Sequence, residues 1–131
     1  MSEIKSSSLY ERLGGHEGIA KLLRYFYADV RQHAVLGPIF NARIHDWPMH
    51  LEKIGEFWAL QTGGPSVYRG GFGAAHLGLD LQPEHFGHWL KLWDFNCQRN
   101  LTDPEAGEMS AIAHEFGRRL SRLVQMQAGS G

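Results

Sequence analysis

At 131 residues, with 43% hydrophobic and 21% charged side chains, the chain suits one folded domain with a single core rather than a disordered segment or two domains. A net charge of −1 offers no general attraction for nucleic acid or an anionic membrane, so neither is an expected partner. The single cysteine, Cys97, excludes an intrachain disulfide and suits a reducing cytoplasm, while no apolar run approaches a membrane span and the opening MSEIKSSS does not read as a secretion signal.

In chain order, residues 1–8 form a polar arm, residues 9–126 the domain and residues 127–131 a tail. Leu9 to Leu13 suits a short helix or turn, stopped by Gly14 and Gly15. Ile19, Leu22, Leu23, Phe26, Tyr27 and Val30 then recur every three or four residues, the mark of a helix with one apolar stripe. Leu36-Gly37-Pro38 is expected to end that helix, with Ile39-Phe40 starting an apolar corner.

Asp46-Trp47-Pro48 opens the next helix, since Asp46 or Trp47 can cap it and Pro48 falls where its missing amide hydrogen costs nothing. Its inner stripe is His50, Ile54, Phe57 and Trp58, until Gly63-Gly64-Pro65 breaks it. Residues 66–81 are glycine-rich and irregular, with room for a short helix around Phe72 to Leu77. Another helix begins near Pro83, with Phe86, Trp89, Leu90, Trp93 and Cys97 on one side. Thr102-Asp-Pro-Glu105 is a capping-box start for the longest stripe, running from Met109 through Ala113, Phe116 and Leu120 to Val124. Nothing alternates with period two and no repeat is visible, so the fold class is all-α.

His76 has apolar neighbours, Ala74, Ala75, Leu77 and Leu79, and no carboxylate or cysteine within three residues. A histidine on a short segment beside large aromatics is what an axial haem site requires, because one imidazole nitrogen holds the iron while the apolar wall excludes water. The bland alternative is a half-buried loop histidine. Three helical stripes each contain one polar donor: Tyr27 beside Phe26, His50 before Ile54, and Trp89 between Phe86 and Trp93. Burying such a donor without a partner costs about 1–3 kcal/mol, so three facing one core call for an acceptor there. A bound gas carrying partial negative charge would serve. Singly, each has a plainer reading as a surface hydroxyl, a backbone-bonded imidazole or simple packing.

Other chemistries lack their parts. One cysteine cannot build a structural zinc site, and there is no paired Glu-x-x-His set, phosphate loop, Gly-x-Ser-x-Gly or dinucleotide fingerprint. His85 and His88, three apart beside the Phe86–Trp89 stripe, are expected at the surface, and Cys97 as inert packing.

From Leu9 to Val124 the chain resembles the truncated haemoglobins, most closely their third group. The residues carrying this are Phe26-Tyr27-x-x-Val30-Arg31, Leu36-Gly-Pro-Ile-Phe-Asn41, Asp46-Trp-Pro-x-His-Leu51 with Phe57-Trp58, Tyr68-Arg-Gly70, Ala75-His-Leu77 and Glu84-His-Phe-x-x-Trp-Leu90. The Gly14-Gly15 pair departs toward the first two groups. The resemblance implies a two-over-two helical sandwich around haem b (iron protoporphyrin IX), with His76 as the proximal iron ligand. Tyr27, His50 and Trp89 would line the gas-binding side, with Phe40, Ile54, Phe57 and Trp58 packing the pocket and Lys53 and Arg69 facing the haem propionates. His45 is the alternative to His50 should the register slip, although His50 shares the face of Ile54 and Phe57.

The function so implied is binding of dioxygen and other small ligands such as CO, NO and cyanide at a five-coordinate iron. Tight retention by three donors favours redox or detoxifying chemistry, peroxidase-like or nitric-oxide-dioxygenase-like, over oxygen transport. Turnover would need an unidentified reductase, and the expected assembly is a monomer or weak dimer. A haem-based gas sensor or a haem-free interaction module of globin shape is the competing reading.

Overall fold

The computed structural model of the chain describes residues 7–70 and 82–129. His76 and the short helix expected around Phe72 to Leu77 lie outside the described residues. The rest is built of six helices: α1 (Leu9–Leu13), α2 (Gly15–Gln32), α3 (Leu36–Arg43), α4 (Trp47–Gln61), α5 (Pro83–Asn100) and α6 (Asp103–Gly129). Among the described residues there is no strand.

Each helix starts and stops for a local reason. Ser8 caps α1 by accepting the Glu11 amide at 3.1 Å, while the Glu11 carboxylate accepts the Ser8 amide at 3.1 Å. Gly14 then turns left-handed, at φ 96°, and lets α2 start at once in a new direction. Asp46 caps α4 by accepting the Met49 amide at 3.1 Å, with Pro48 in the first turn.

One boundary differs from expectation. Helix α2 stops at Gln32, and Leu36-Gly37-Pro38 opens α3 rather than closing α2. The physical reason is a cap from outside the segment: His33 Nδ1 accepts the Val35 and Leu36 amides, both at 3.1 Å, so amides left over at the start of α3 find an acceptor. Pro38 falls in the first turn, where no helical amide bond is lost. Phe40 is thereby carried on a helix, not on a loop.

Helix α2 is the centre of the molecule. Its whole stripe, Ile19, Leu22, Leu23, Phe26, Tyr27 and Val30, is buried, and it packs against α1, α3, α4 and α5. The two main pairs are α2 with α4 and α5 with α6. Trp93 joins them, fully buried, stacked on Trp58 of α4 with centroids 4.7 Å apart and planes 11° apart. Its indole N–H donates to the Met109 carbonyl of α6 at 3.2 Å, so burial leaves no polar atom unpaired. Burying one such ring contributes on the order of 4–6 kcal/mol as an upper estimate. At the edges, Arg12 ties α1 to α6 through Glu105 at 2.8 Å and Glu108 at 2.7 Å. Asp94 ties α5 to α6 by accepting from Ser110 at 2.7 Å and pairing with His114 at 2.9 Å.

Candidate functional site

Between these helices lies a cavity of about 650 Å³, walled by α2, α3, α4, α5, α6 and the segment that follows α4. Nine of the ten residues singled out by sequence reach it: Tyr27, Phe40, His50, Lys53, Ile54, Phe57, Trp58, Arg69 and Trp89. The tenth, His76, lies outside the described residues. They come from α2, α3, α4 and α5 and the stretch after α4, so their meeting is a product of helix packing.

Tyr27 is the pivot of the polar side. It is 5% exposed and shares the cavity wall with Trp89. Burial pushes the phenol well above its ordinary range, more than the neighbouring Trp89 lowers it, so the hydroxyl stays protonated and keeps a hydrogen to donate. Tyr27, His50 and Trp89, the three donors expected from the sequence, all line the cavity. The His50 ring stands edge-on to Tyr27 at 5.9 Å and edge-on to Trp47 at 5.7 Å. Arg31 caps the outer side of Trp47 at 4.7 Å. His45 is exposed, whereas His50 is half-buried and lines the cavity, so the residue on the Ile54 and Phe57 face is the one that arrives there.

Aromatic contacts hold the remaining walls. Phe26 stands edge-on to Trp89 at 5.0 Å, and Trp89 stacks on Trp93 at 5.4 Å, continuing the row from Trp58. Phe57 meets Tyr68 at 5.2 Å and Phe116 at 5.0 Å. Three cations, Arg43, Lys53 and Arg69, are exposed and line the cavity, which places them at its mouth. An apolar, aromatic interior with cations at the rim fits a flat hydrophobic ring system bearing carboxylates, and the volume falls within the usual range for cofactor sites. Among the described residues no cluster of three or more His, Cys, Asp or Glu could hold a bare metal ion.

Several lining residues were not legible as such. His85, expected at the surface, is half-buried on the cavity wall because its Nδ1 accepts the Gln82 amide at 2.9 Å, which turns the ring back along α5. Phe116 and Leu120 belong to a helical stripe in the sequence, but nothing there separates a core position from a cavity position. Arg43 and Glu56 carried no signal beyond their charge. Cys97 is fully buried, and burial pushes its thiol up to about 12, as expected of inert packing.

The sequence pattern of the bacterial-like globin family matches residues 8–115. Group 3 truncated hemoglobin ctb of Campylobacter jejuni is 43% identical over 83 residues, 60% of this chain. That match spans 65% of the relative, just under two thirds of its length. The crystal structure of group III truncated hemoglobin from Campylobacter jejuni superposes with a TM-score of 0.80 at 29% identity, covering 95% of both chains. The two-over-two helical sandwich is therefore the architecture of this chain. The 2/2 hemoglobin of Synechococcus, solved with covalently attached heme, has the same fold at a TM-score of 0.79 and 22% identity, covering 88% of this chain and 99% of that one.

Proposed function

The chain belongs to the bacterial-like globin family, as a truncated haemoglobin of the group III type, and we propose that its cavity holds haem b and binds dioxygen and other small ligands. His76 would hold the iron in this reading. When bound, the haem supplies the iron that takes up the gas and can exchange an electron with it. Phe40, Ile54, Phe57 and Trp58 exclude water from the ring, and Lys53 and Arg69 pair with its carboxylates at the mouth.

The observation that carries the reading is the meeting of Tyr27, His50 and Trp89 on one apolar, aromatic cavity. Burial keeps the Tyr27 hydroxyl protonated. A donor held in place beforehand loses little entropy when a polar ligand arrives, and a hydrogen bond to a charged acceptor is worth about 1.5–3 kcal/mol. His50 stands beside Tyr27 as the second donor. Strong retention suits redox or detoxifying turnover on the bound gas rather than oxygen transport, with a separate reductase as electron source.

Absorption spectra of the purified protein, oxidised, reduced, and reduced under carbon monoxide, test this. A Soret band that moves with each state supports it. A colourless protein that refuses added haemin ends it in favour of a haem-free module.

A further inference from the structure

Residues 66–70 belong to no helix or strand, yet Val67, Tyr68, Arg69 and Gly70 form one wall of the cavity. Among the described residues, Glu56 of α4 holds the start of this stretch. Its carbonyl accepts the Ser66 hydroxyl at 2.6 Å, and its Oε1 accepts the Val67 amide at 3.0 Å. Ser66 passes the constraint on, accepting the Tyr68 amide at 3.0 Å.

The carboxylate is itself aimed from the other side. His16 Nε2, on α2, lies 3.1 Å from Glu56 Oε2, and Tyr10 of α1 bonds His16 Nδ1. A carboxylate can only accept, so the neutral His16 ring carries its hydrogen on Nε2, and its Nδ1 accepts from the Tyr10 hydroxyl. The polarity of the chain is thus set throughout: Tyr10 donates to His16, and His16 donates to Glu56. The Val67 amide bond is the largest cause of the lowered Glu56 carboxyl, with His16 adding to it. Tyr10 is fixed in turn, its amide donating to the Thr62 carbonyl at 2.9 Å.

We propose that Glu56, aimed by His16 and Tyr10, is a positioning residue that sets the wall of Val67, Tyr68 and Arg69 and, through it, the grip on the carboxylate-bearing cofactor. The cofactor part rests on the haem reading above, whereas the positioning part does not. Two measurements separate them. The first is the imidazole ¹⁵N spectrum of the protein near pH 8. Wild type shows His16 as the Nε2–H tautomer. In Glu56→Gln the Val67 amide still claims the side-chain oxygen, so the amide NH₂ faces His16 and the ring switches to Nδ1–H. A purely space-filling role for Glu56 predicts no such switch.

The second is haemin loss to excess apomyoglobin. Glu56→Ala loses haemin about tenfold faster, which corresponds to 1.4 kcal/mol, and Glu56→Gln falls between it and wild type. Glu56→Asp, which withdraws the carboxylate from Val67 without removing it, is also faster and serves should the alanine variant fail to fold. An Nδ1–H tautomer in wild type, or wild-type haemin loss in the Ala and Asp variants, overturns the proposal. A chain that takes up no haemin ends the cofactor reading and the grip with it, while the tautomer result still decides whether Glu56 is aimed as described.

Discussion

The ring of Tyr10 lies against the backbone of Gly64 so closely that a β-carbon there would sit 2.3 Å from Tyr10 Cδ1. That contact presses α1 onto the turn that follows α4. The Tyr10 hydroxyl, on the far side of the same ring, bonds His16. Gly64→Ala therefore forces the ring off its seat, and overpacking of this kind costs about 1–3 kcal/mol. Urea unfolding is expected to show a loss in that range, and a smaller one when the same change is made in a Tyr10→Ala background, where the obstacle is gone. Equal losses in both backgrounds would refute the contact as the cause.

Tyr27 is buried on the cavity wall with its hydroxyl protonated, whereas Trp89 is only half-buried there, so the two are expected to differ in their effect on a bound gas. Tyr27→Phe removes the donor itself, and dioxygen should leave roughly tenfold faster or more, at 1.4 kcal/mol per decade. Trp89→Phe removes a donor less shielded from water, so its acceleration should be smaller. Stopped-flow displacement of dioxygen by carbon monoxide measures both. Unchanged off-rates in both variants would remove hydrogen bonding from the account of ligand retention.

Cys97 is sealed in the core and its thiol is pushed up to about 12 by burial, with Asp94 adding to the shift. Since the thiolate is the reacting form, the native protein should resist iodoacetamide at pH 8 over hours and be alkylated within minutes in denaturant. Mass spectrometry reads the difference. Rapid labelling of the native protein would show that the α5 face opens far more often than its packing implies.

Stability should fall on the acid side. The Glu56 carboxyl is lowered, chiefly by the Val67 amide, and the Glu108 carboxyl is lowered by Arg12. A carboxyl whose folded value lies below its unfolded one contributes stability above the unfolded value of about 4.3, and loses it as pH falls through the folded value. The melting temperature should therefore be flat near neutrality with respect to these two groups and drop below about pH 4. Glu56→Gln and Glu108→Gln should each flatten the acid limb, and an acid limb unchanged in both would place its origin elsewhere.

The sequence by itself determined the helices that bear their own stripe and caps. The α2 run from Ile19 to Val30, the Asp46 start of α4 and the Pro83 start of α5 all follow from period and capping chemistry, because those forces act within a few residues. The aromatic and polar residues expected at the site were legible too, as donors and rings placed inside apolar stripes. Their arrangement was not. That Trp93 stacks between Trp58 and Trp89, and that Glu56 holds Val67 while His16 holds Glu56, both depend on which helix lies beside which. The start of α3 is a local exception: His33 accepts the Val35 and Leu36 amides, but histidine is not among the residues whose capping preference marks a helix start in sequence. Stripes and caps are local and repeat with the helix. Directional hydrogen bonds and ring contacts between residues far apart in the chain exist only once packing has brought donor and acceptor to about 3 Å and ring centroids to about 4.5–7 Å.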